Sequence, residues 1–472
     1  MDGDHTPSET KHDLLAKHDG PSPINKLPHD VLSQIFLASL SPMVCRPNIH
    51  SSPVILGRIC RSWRKLALDM PLLWNHIVGV AMIRPCYHDE AATKAELDKE
   101  ILAVDEYLAR SQNSPLEISL VYITVGVEAP PPYFVTKVNA IMGKILPHSP
   151  RWRNVMLNIP NGSVQTVFSQ LGSGVPRLKS LIVSESSFVY RRPTLHINLS
   201  SAHQLERLQI LIPTEVHWGN AIMHQMRDLN VSPTSLSSFL RCIGKCPSIT
   251  SVDFFPDAVQ TLSAPPAEIH IHCLSSLVKC RLDQLNQTLF SGLLDNLHLP
   301  VLKHLDIFTK YRLSDSSSFV RFMHRSQPPL ETLSIIAHGM PTAHLLDCLQ
   351  RIPCLTVLRM DIAYFSNNTI QRFLTPSPAH GGSVLCPNLR SLWLLGKTEG
   401  ACQSAAKVVV HRWHNASERT CRIRQVWISD WEYVSFVGCD GIAGCNKEGL
   451  ELSRDASWTK YWQTGQFGLD SF

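Results

Sequence analysis

The chain has 472 residues, of which 44% are hydrophobic and 18% are Asp, Glu, Lys or Arg, and this composition excludes wholesale disorder. The formal net charge of +5 is too small and too dispersed to indicate a nucleic-acid groove or an anionic membrane surface. There is no apolar run of the ~18 residues that a membrane span needs, and the N-terminal segment lacks a secretory signal. We therefore expect an intracellular protein, cytoplasmic or nuclear, without nucleic-acid or membrane partners.

Residues 1–23 are polar and predict a flexible tail. A helical module follows over residues 24–78. Its first helix begins at Pro28, because a first-turn proline loses no hydrogen bond, and the apolar residues at positions 31, 32, 35 and 36 share one face. Ser52-Pro53 predicts the start of a second helix, and Pro71 that of a short third element. Such a small core usually needs a partner surface.

Residues 79–114 are predicted to link this module to the rest of the chain. Within them, a helix is expected over 89–110, because Leu97, Ile101, Val104 and Leu108 follow one another at spacings of 4, 3 and 4. The other faces of this helix are charged. The linker therefore contains one solvated amphipathic helix.

A repeat dominates the chain after residue 115. The hexad apolar-x-x-apolar-x-apolar occurs ten times, and its first positions are Trp152, Leu178, Leu205, Ile249, Leu277, Leu302, Leu330, Leu355, Leu389 and Ile423. Most successive first positions are 25 to 28 residues apart, with longer intervals of 34 and 44 that indicate loop insertions. Helix-like segments lie between the hexads, and a further strand over 116–120 precedes them.

Strand and helix alternating at this period are typical of leucine-rich repeats. The prediction is therefore an α/β protein. A short three-helix module is followed, over 115–430, by a curved solenoid with parallel strands on its concave face and helices on its convex face. Residues 431–472 form a separate C-terminal segment.

Three segments of the helical module resemble an F-box, in the form found in the large F-box-like family of mushroom-forming fungi. They are INKLPHDVLSQIF at 24–36, ICRSWRKLA at 59–67 and PLLW at 71–74. FLTPS at 373–377 and CPNLRSL at 386–392 resemble the later, irregular leucine-rich repeats of the same proteins. The loop 41–52 is longer than in compact F-boxes, and residues such as Ser186 and Pro213 replace the asparagine usual after the hexad.

The resemblance implies that the module docks on a small Skp-type adaptor. The adaptor joins it to the cullin scaffold of a ubiquitin ligase, and the remainder of the chain binds an unknown protein target. The protein itself would be a non-catalytic subunit. Contact with the adaptor is then expected at nine residues: Leu27, Pro28, Leu32, Ile35, Phe36, Ile59, Cys60, Trp63 and Leu66.

An alternative interpretation gives the helical module a purely structural role. Solenoids need terminal caps, and the module could shield the first strand of a leucine-rich-repeat interaction scaffold with no role in ubiquitin transfer. The complete three-part pattern favours adaptor docking, because a cap does not require it.

The middle residue of each hexad is expected on the concave face, since side chains alternate along a strand. Arg359, Trp393 and Trp427 occupy this position in three successive hexads. Trp and Arg contribute disproportionately to interface energies, so these three residues are the predicted target-binding site. The alternative is that the aromatic C-terminal segment covers both tryptophans.

No segment of the sequence matches a complete motif for catalysis or cofactor binding. Gly396-Lys397-Thr398 lacks the glycine that a phosphate-binding loop needs five positions earlier. The pair Cys242 and Cys246, with His270 and the dipeptide His272-Cys273, lacks the paired short spacings of a zinc module. We therefore predict no catalytic residue, no metal site and no cofactor, and expect the protein not to be an enzyme.

Overall fold

The computed structural model describes residues 27–40, 53–83, 89–124, 129–171, 174–185, 194–256, 272–283, 285–309, 313, 315–337, 339–361, 373, 384–395, 401–416 and 420–455. The predicted tail 1–23 and the loop 41–52 lie outside these residues. Within the described parts, the fold is α/β and is built on one large parallel sheet, as the hexads predict.

Thirteen helices are described. They are α1 His29–Ala38, α2 Leu56–Ile59, α3 Arg61–Leu68, α4 Glu90–Ser111, α5 Pro132–Ile145, α6 Asn161–Leu171, α7 Leu236–Gly244, α8 Gln287–Asp295, α9 Ser317–Ser326, α10 Thr342–Gln350, α11 Ala401–His414, α12 Asp430–Val437 and α13 Ile442–Lys447. Two 3-10 turns, Pro71–Leu73 and Leu146–Arg151, supplement them. Side-chain oxygens cap several N-termini; Asn286, for example, accepts a hydrogen bond from the backbone N–H of Leu289 over 2.9 Å.

The described residues also contain seventeen strands. They are β1 His76–Ile83, β2 Leu116–Thr124, β3 Trp152–Ile159, β4 Ser180–Glu185, β5 Leu195–Asn198, β6 Arg207–His217, β7 Asp228–Ser232, β8 Ser251–Phe254, β9 His272–Cys273, β10 Lys279–Leu282, β11 Leu297–His298, β12 His304–Thr309, β13 Thr332–Ala337, β14 Val357–Asp361, β15 Ser391–Leu395, β16 Gln425–Ser429 and β17 Glu451–Asp455.

The main sheet runs in chain order from β1 to β17. Its hydrogen-bonded neighbours are β1-β2-β3-β4-β6-β7-β8-β10-β12-β13-β14-β15-β16-β17, while β5 pairs with the far half of β6. Strands β9 and β11 form a separate pair. The pairing of β15 with both neighbours is parallel and in register, and the same holds for β12 and β13.

Each predicted hexad coincides with a strand, and its period explains which face is buried. On β14, Leu358 and Met360 are fully buried while Arg359 between them is half-buried, and the corresponding residues of β13 lie beside the buried pair in register. Helix side chains complete the core; Phe239 of α7, for example, packs on Phe254 of β8 with ring centroids 4.5 Å apart. The middle hexad residues therefore line the opposite face of the sheet.

The helical module differs from the prediction in its second helix. A single helix was expected after Ser52-Pro53, but α2 ends at Ile59 and α3 begins at Arg61. Cys60 between them is extended, with φ −155° and ψ 170°, and its sulfur accepts a hydrogen bond from the backbone N–H of Trp63 over 3.4 Å. Cys60 is thus the N-cap of α3.

Besides β5, three strands extend the sheet beyond the predicted set. The boundary expected between residues 78 and 79 falls inside β1, so the module runs directly into the sheet. Strand β7 lies within the 44-residue interval that indicates a loop insertion, and β17 adds residues of the C-terminal segment to the far edge. The sheet therefore reaches from residue 76 to residue 455.

Candidate functional site

The nine residues expected to contact an adaptor fall into three groups. Leu32, Phe36 and Trp63 are buried, and the rings of Phe36 and Trp63 lie 4.8 Å apart between centroids. Leu27, Cys60 and Leu66 are half-buried, whereas Pro28, Ile35 and Ile59 are exposed. The first group forms the core of the module itself, and only the other two groups offer surface to a partner.

Exposed apolar side chains are concentrated on this module. Eleven large hydrophobic residues are exposed in the described parts of the chain, and six of them lie between residues 31 and 72. We call these six the N-terminal apolar surface: Val31, Ile35, Ile55, Ile59, Leu68 and Leu72. Ile35 is 41% exposed and Ile59 is 57% exposed.

Local structure explains why these side chains point outward. Val31 and Ile35 are one turn apart on α1, so they share a face adjacent to the buried Leu32 and Phe36. Ile55 and Ile59 have the same four-residue spacing across α2. Sequence reasoning identified Ile35 and Ile59 as site residues but missed the other four, because an apolar residue on a short helix can face either its own core or solvent.

The module is tied to the start of the sheet through Trp74. The indole of Trp74 is buried, donates a hydrogen bond to the carbonyl of Ala67 over 2.8 Å, and packs edge-on against Tyr107 of α4 at 5.2 Å. The guanidinium of Arg110 lies 4.4 Å from the centre of the same ring. The side chain of Asn75 donates a hydrogen bond to the carbonyl of Pro115 over 3.0 Å. These contacts fix the module against α4 and β2.

The three residues expected to bind a target lie in one register row. Arg359 of β14 is paired with Trp393 of β15, which is paired with Trp427 of β16. The two indoles are stacked, with centroids 4.5 Å apart and planes inclined by 11°. The guanidinium carbon of Arg359 lies 4.2 Å from the centre of the Trp393 ring. We call this arrangement the tryptophan stack.

The tryptophan stack is partly accessible on the face of the sheet opposite the helices. Its three residues are half-buried, and Nε of Arg359 is buried without a hydrogen-bond partner in the described structure. Residues 430–455 contain α12, α13 and β17, and β17 continues the sheet next to β16. The C-terminal segment was the alternative expected to cover the stack, and its aromatic residues Trp458, Tyr461 and Trp462 lie outside the described residues.

Charged residues occupy the same row in the middle of the sheet. Asp253, Arg281 and Asp306 are neighbours on β8, β10 and β12. Burial raises the pKa of the Asp253 carboxyl, while Lys279 and Arg281 act in the opposite direction. Asp253 also accepts a hydrogen bond from the side-chain amide of Asn230 over 3.3 Å. Polar pairing on this face contrasts with the aromatic stack nearer the C-terminus.

Two of the residues that came nearest to a metal motif in the sequence, Cys242 and Cys246, are buried in the core. Cys242 is buried, and its sulfur accepts a hydrogen bond from the indole N–H of Trp218 over 3.0 Å. Burial raises the pKa of the Cys242 thiol to about 12, so the sulfur stays protonated at neutral pH. Cys246 is also buried, and burial raises its pKa as well. His270 and the segment 396–398 lie outside the described residues.

No protein-family model matches the chain, and no similar sequence is found among curated proteins. The described helices include none that combines the length and hydropathy needed to cross a membrane.

Proposed function

We propose that the protein is the substrate-receptor subunit of a Skp–cullin–F-box type ubiquitin ligase. In this proposal, residues 24–78 are an F-box that docks on the adaptor. The sheet and its helices are a curved, leucine-rich-repeat-like solenoid that holds a protein target. The observation that carries the proposal is the N-terminal apolar surface: six exposed large hydrophobic side chains within 42 residues, 31–72.

Burial of this surface would supply the binding energy. Burying a Leu or Ile side chain completely contributes about 1.5–3 kcal/mol, so residues that are about half exposed would each contribute roughly 1 kcal/mol. The concentration of exposed apolar side chains on one small module supports a partner surface there.

The proposed target-binding region is the face that carries the tryptophan stack. Two stacked indoles and a guanidinium present a large, preorganised apolar and cationic surface at little cost in side-chain entropy. The proposal needs no catalytic residue in this chain. A ligase receptor acts by proximity: it holds a target near a ubiquitin-loaded enzyme and raises the effective concentration of acceptor lysines.

An interaction scaffold without a ubiquitin role is the second candidate. It is favoured by the contacts of Trp74 and Asn75, which attach the module to α4 and β2 as a terminal cap would be attached. In that case the module stabilises the first strands, and the N-terminal apolar surface has no adaptor to bind.

Titration of a purified Skp-type adaptor with the full chain distinguishes the two candidates. We expect saturable binding that Ile35→Asp and Ile59→Asp each weaken at least tenfold, which is about 1.4 kcal/mol or more. Both side chains are exposed, so these variants should fold normally. The buried Leu32, only 4% exposed, is unsuitable because Leu32→Asp would place an unpaired charge in the core.

Leu102→Asp is the matched control. Leu102 is an exposed aliphatic side chain of the same size as isoleucine, but it lies on α4, outside the module. It should bind the adaptor like the wild type. Failure of the wild-type chain to bind would favour the scaffold. Equal weakening by all three variants would show that the N-terminal apolar surface is not the docking site.

A further inference from the structure

A cluster of potential metal ligands lies where β5 joins the outer half of β6. His196 of β5 is paired with Glu215 of β6, and His217 follows two residues later on the same face of β6. The ligand atoms of these three side chains all lie within 4.8 Å of one another. The cluster is remote in sequence from the N-terminal apolar surface and from the tryptophan stack.

Two distances within the cluster are close to the edge of a coordination tetrahedron, and the third, between Glu215 and His217, is no longer than 4.8 Å. Nδ1 of His196 lies 3.5 Å from Oε2 of Glu215 and 3.4 Å from Nε2 of His217. Ligand atoms about 2.0–2.1 Å from a tetrahedral zinc ion are roughly 3.4 Å apart. From this match we propose that His196, Glu215 and His217 bind a Zn²⁺ ion.

The same contacts also fit a hydrogen bond between the two imidazoles and an ion pair between His196 and Glu215. Both distances are long for such contacts, since N–H···O hydrogen bonds, for example, are typically ~2.7–3.2 Å. The two imidazole rings are nearly parallel, with planes inclined by 21° and centroids 5.7 Å apart, and their nitrogens face each other. Both side chains are exposed, so rotation of the rings can aim the two nitrogens at one ion beside Glu215.

The donor set selects the class of metal. Two imidazoles and one carboxylate suit zinc and other first-row divalent ions, whereas Mg²⁺ and Ca²⁺ prefer oxygen ligands alone. Three protein ligands leave the fourth tetrahedral position to water, and the His196 side chain is 62% exposed, so solvent reaches the site.

Thr234 orients the carboxylate. Its hydroxyl donates a hydrogen bond to Oε1 of Glu215 over 2.9 Å, which leaves Oε2 directed toward His196. Such partners of a ligand are common in metal sites, and their loss typically weakens metal binding about 10–100-fold. Thr234 is therefore a positioning residue in this proposal.

The bound ion would join a short strand to the main sheet. Strand β5 has four residues and pairs with β6 outside the main path of neighbours. A cation held by one residue from β5 and two from β6 crosslinks the strands, so binding should stabilise this corner of the fold.

Competition between the purified full chain and a chromophoric chelator for Zn²⁺ tests the proposal, with visible absorption of the Co²⁺-substituted protein as a second readout. We expect one tight site per chain and an absorption band typical of tetrahedral Co²⁺. His196→Ala and His217→Ala should each weaken Zn²⁺ binding at least tenfold and remove the band. Thr234→Val should weaken binding about tenfold while retaining the band.

His224→Ala is the control, because His224 is exposed in the same region but does not belong to the cluster. It should bind Zn²⁺ like the wild type. Absence of a tight site in the wild type would overturn the proposal. It would also be overturned if His196→Ala and His217→Ala bound Zn²⁺ as tightly as His224→Ala. Neither outcome depends on adaptor binding.

Discussion

At the level of single residues, the coupling free energy between Arg359 and Trp393 can be measured. The guanidinium of Arg359 lies 4.2 Å from the ring centre of Trp393, and the residue is half-buried, so little water screens the attraction between cation and ring. We expect a coupling energy of about 1 kcal/mol in a double-mutant cycle with Arg359→Leu and Trp393→Leu, measured by urea unfolding. Trp427, stacked on the other side of Trp393, remains in all four proteins.

The same cycle with Arg281 and Trp393 provides a control, since three strands of the sheet separate β10 from β15. Its coupling energy should be close to zero, because distant substitutions add independently. If the Arg359–Trp393 cycle also gave no coupling, the contact would contribute nothing beyond the packing of the two side chains. The tryptophan stack would then be a less ordered surface than its geometry indicates.

Strand β1 is an element whose position depends on one glycine. Gly79 faces the core, and a Cβ atom at this position would lie 2.9 Å from Cδ2 of Leu120 and would collide with the Tyr122 hydroxyl and the Glu100 carboxylate. We therefore expect Gly79→Ala to lower the free energy of unfolding by about 1–3 kcal/mol, measured by urea denaturation. The close approach of β1 to β2 and α4 is the physical reason.

Gly143→Ala is the matched control for Gly79→Ala, because the chemical change is the same. Gly143 lies inside α5, and a Cβ atom there would meet nothing within 4 Å. Alanine should stabilise the helix by up to about 1 kcal/mol. If Gly79→Ala were equally harmless, β1 would have room to shift, and the contact between the module and the sheet would be looser than described.

Most elements could be predicted from the sequence because each hexad carries its own period. The exceptions are informative. Met226, Leu229 and Val231 form a complete hexad in β7, but the 44-residue interval from Leu205 to Ile249 indicates a loop if the methionine is overlooked. Strand β1 follows directly on the helical module, where apolar residues at 77 and 78 extend the module's pattern without a turn signal.

The candidate sites were less predictable than the elements. The hexad register places Arg359, Trp393 and Trp427 in one row, but the stacking of the rings depends on side-chain conformations that the sequence does not specify. The zinc-ligand cluster requires the pairing of β5 with β6, between residues about twenty positions apart and outside the hexad pattern. Likewise, only the packing of three short helices separates the buried Phe36 from the exposed Ile35.

At the scale of the molecule, the main sheet of the described residues is a linear series of strands, each hydrogen-bonded to its immediate neighbours. In such an architecture, stability is approximately a sum of local units and of the interfaces between them. Strands at opposite ends of the sheet should therefore unfold independently. Leu157 of β3 and Leu392 of β15 are both fully buried and suit a comparison of the two ends.

We expect Leu157→Ala and Leu392→Ala each to remove about 2–5 kcal/mol of local stability. Native-state hydrogen exchange should show the loss in the substituted strand and its nearest neighbours, while amides at the other end keep their wild-type protection. The two variants act as controls for each other because the chemical change is identical. A uniform loss of protection from β1 to β17 in either variant would mean that the sheet unfolds as one cooperative unit. In that case, adaptor docking at the N-terminal apolar surface would stabilise the tryptophan stack as well, since binding to any part of a cooperative unit stabilises all of it.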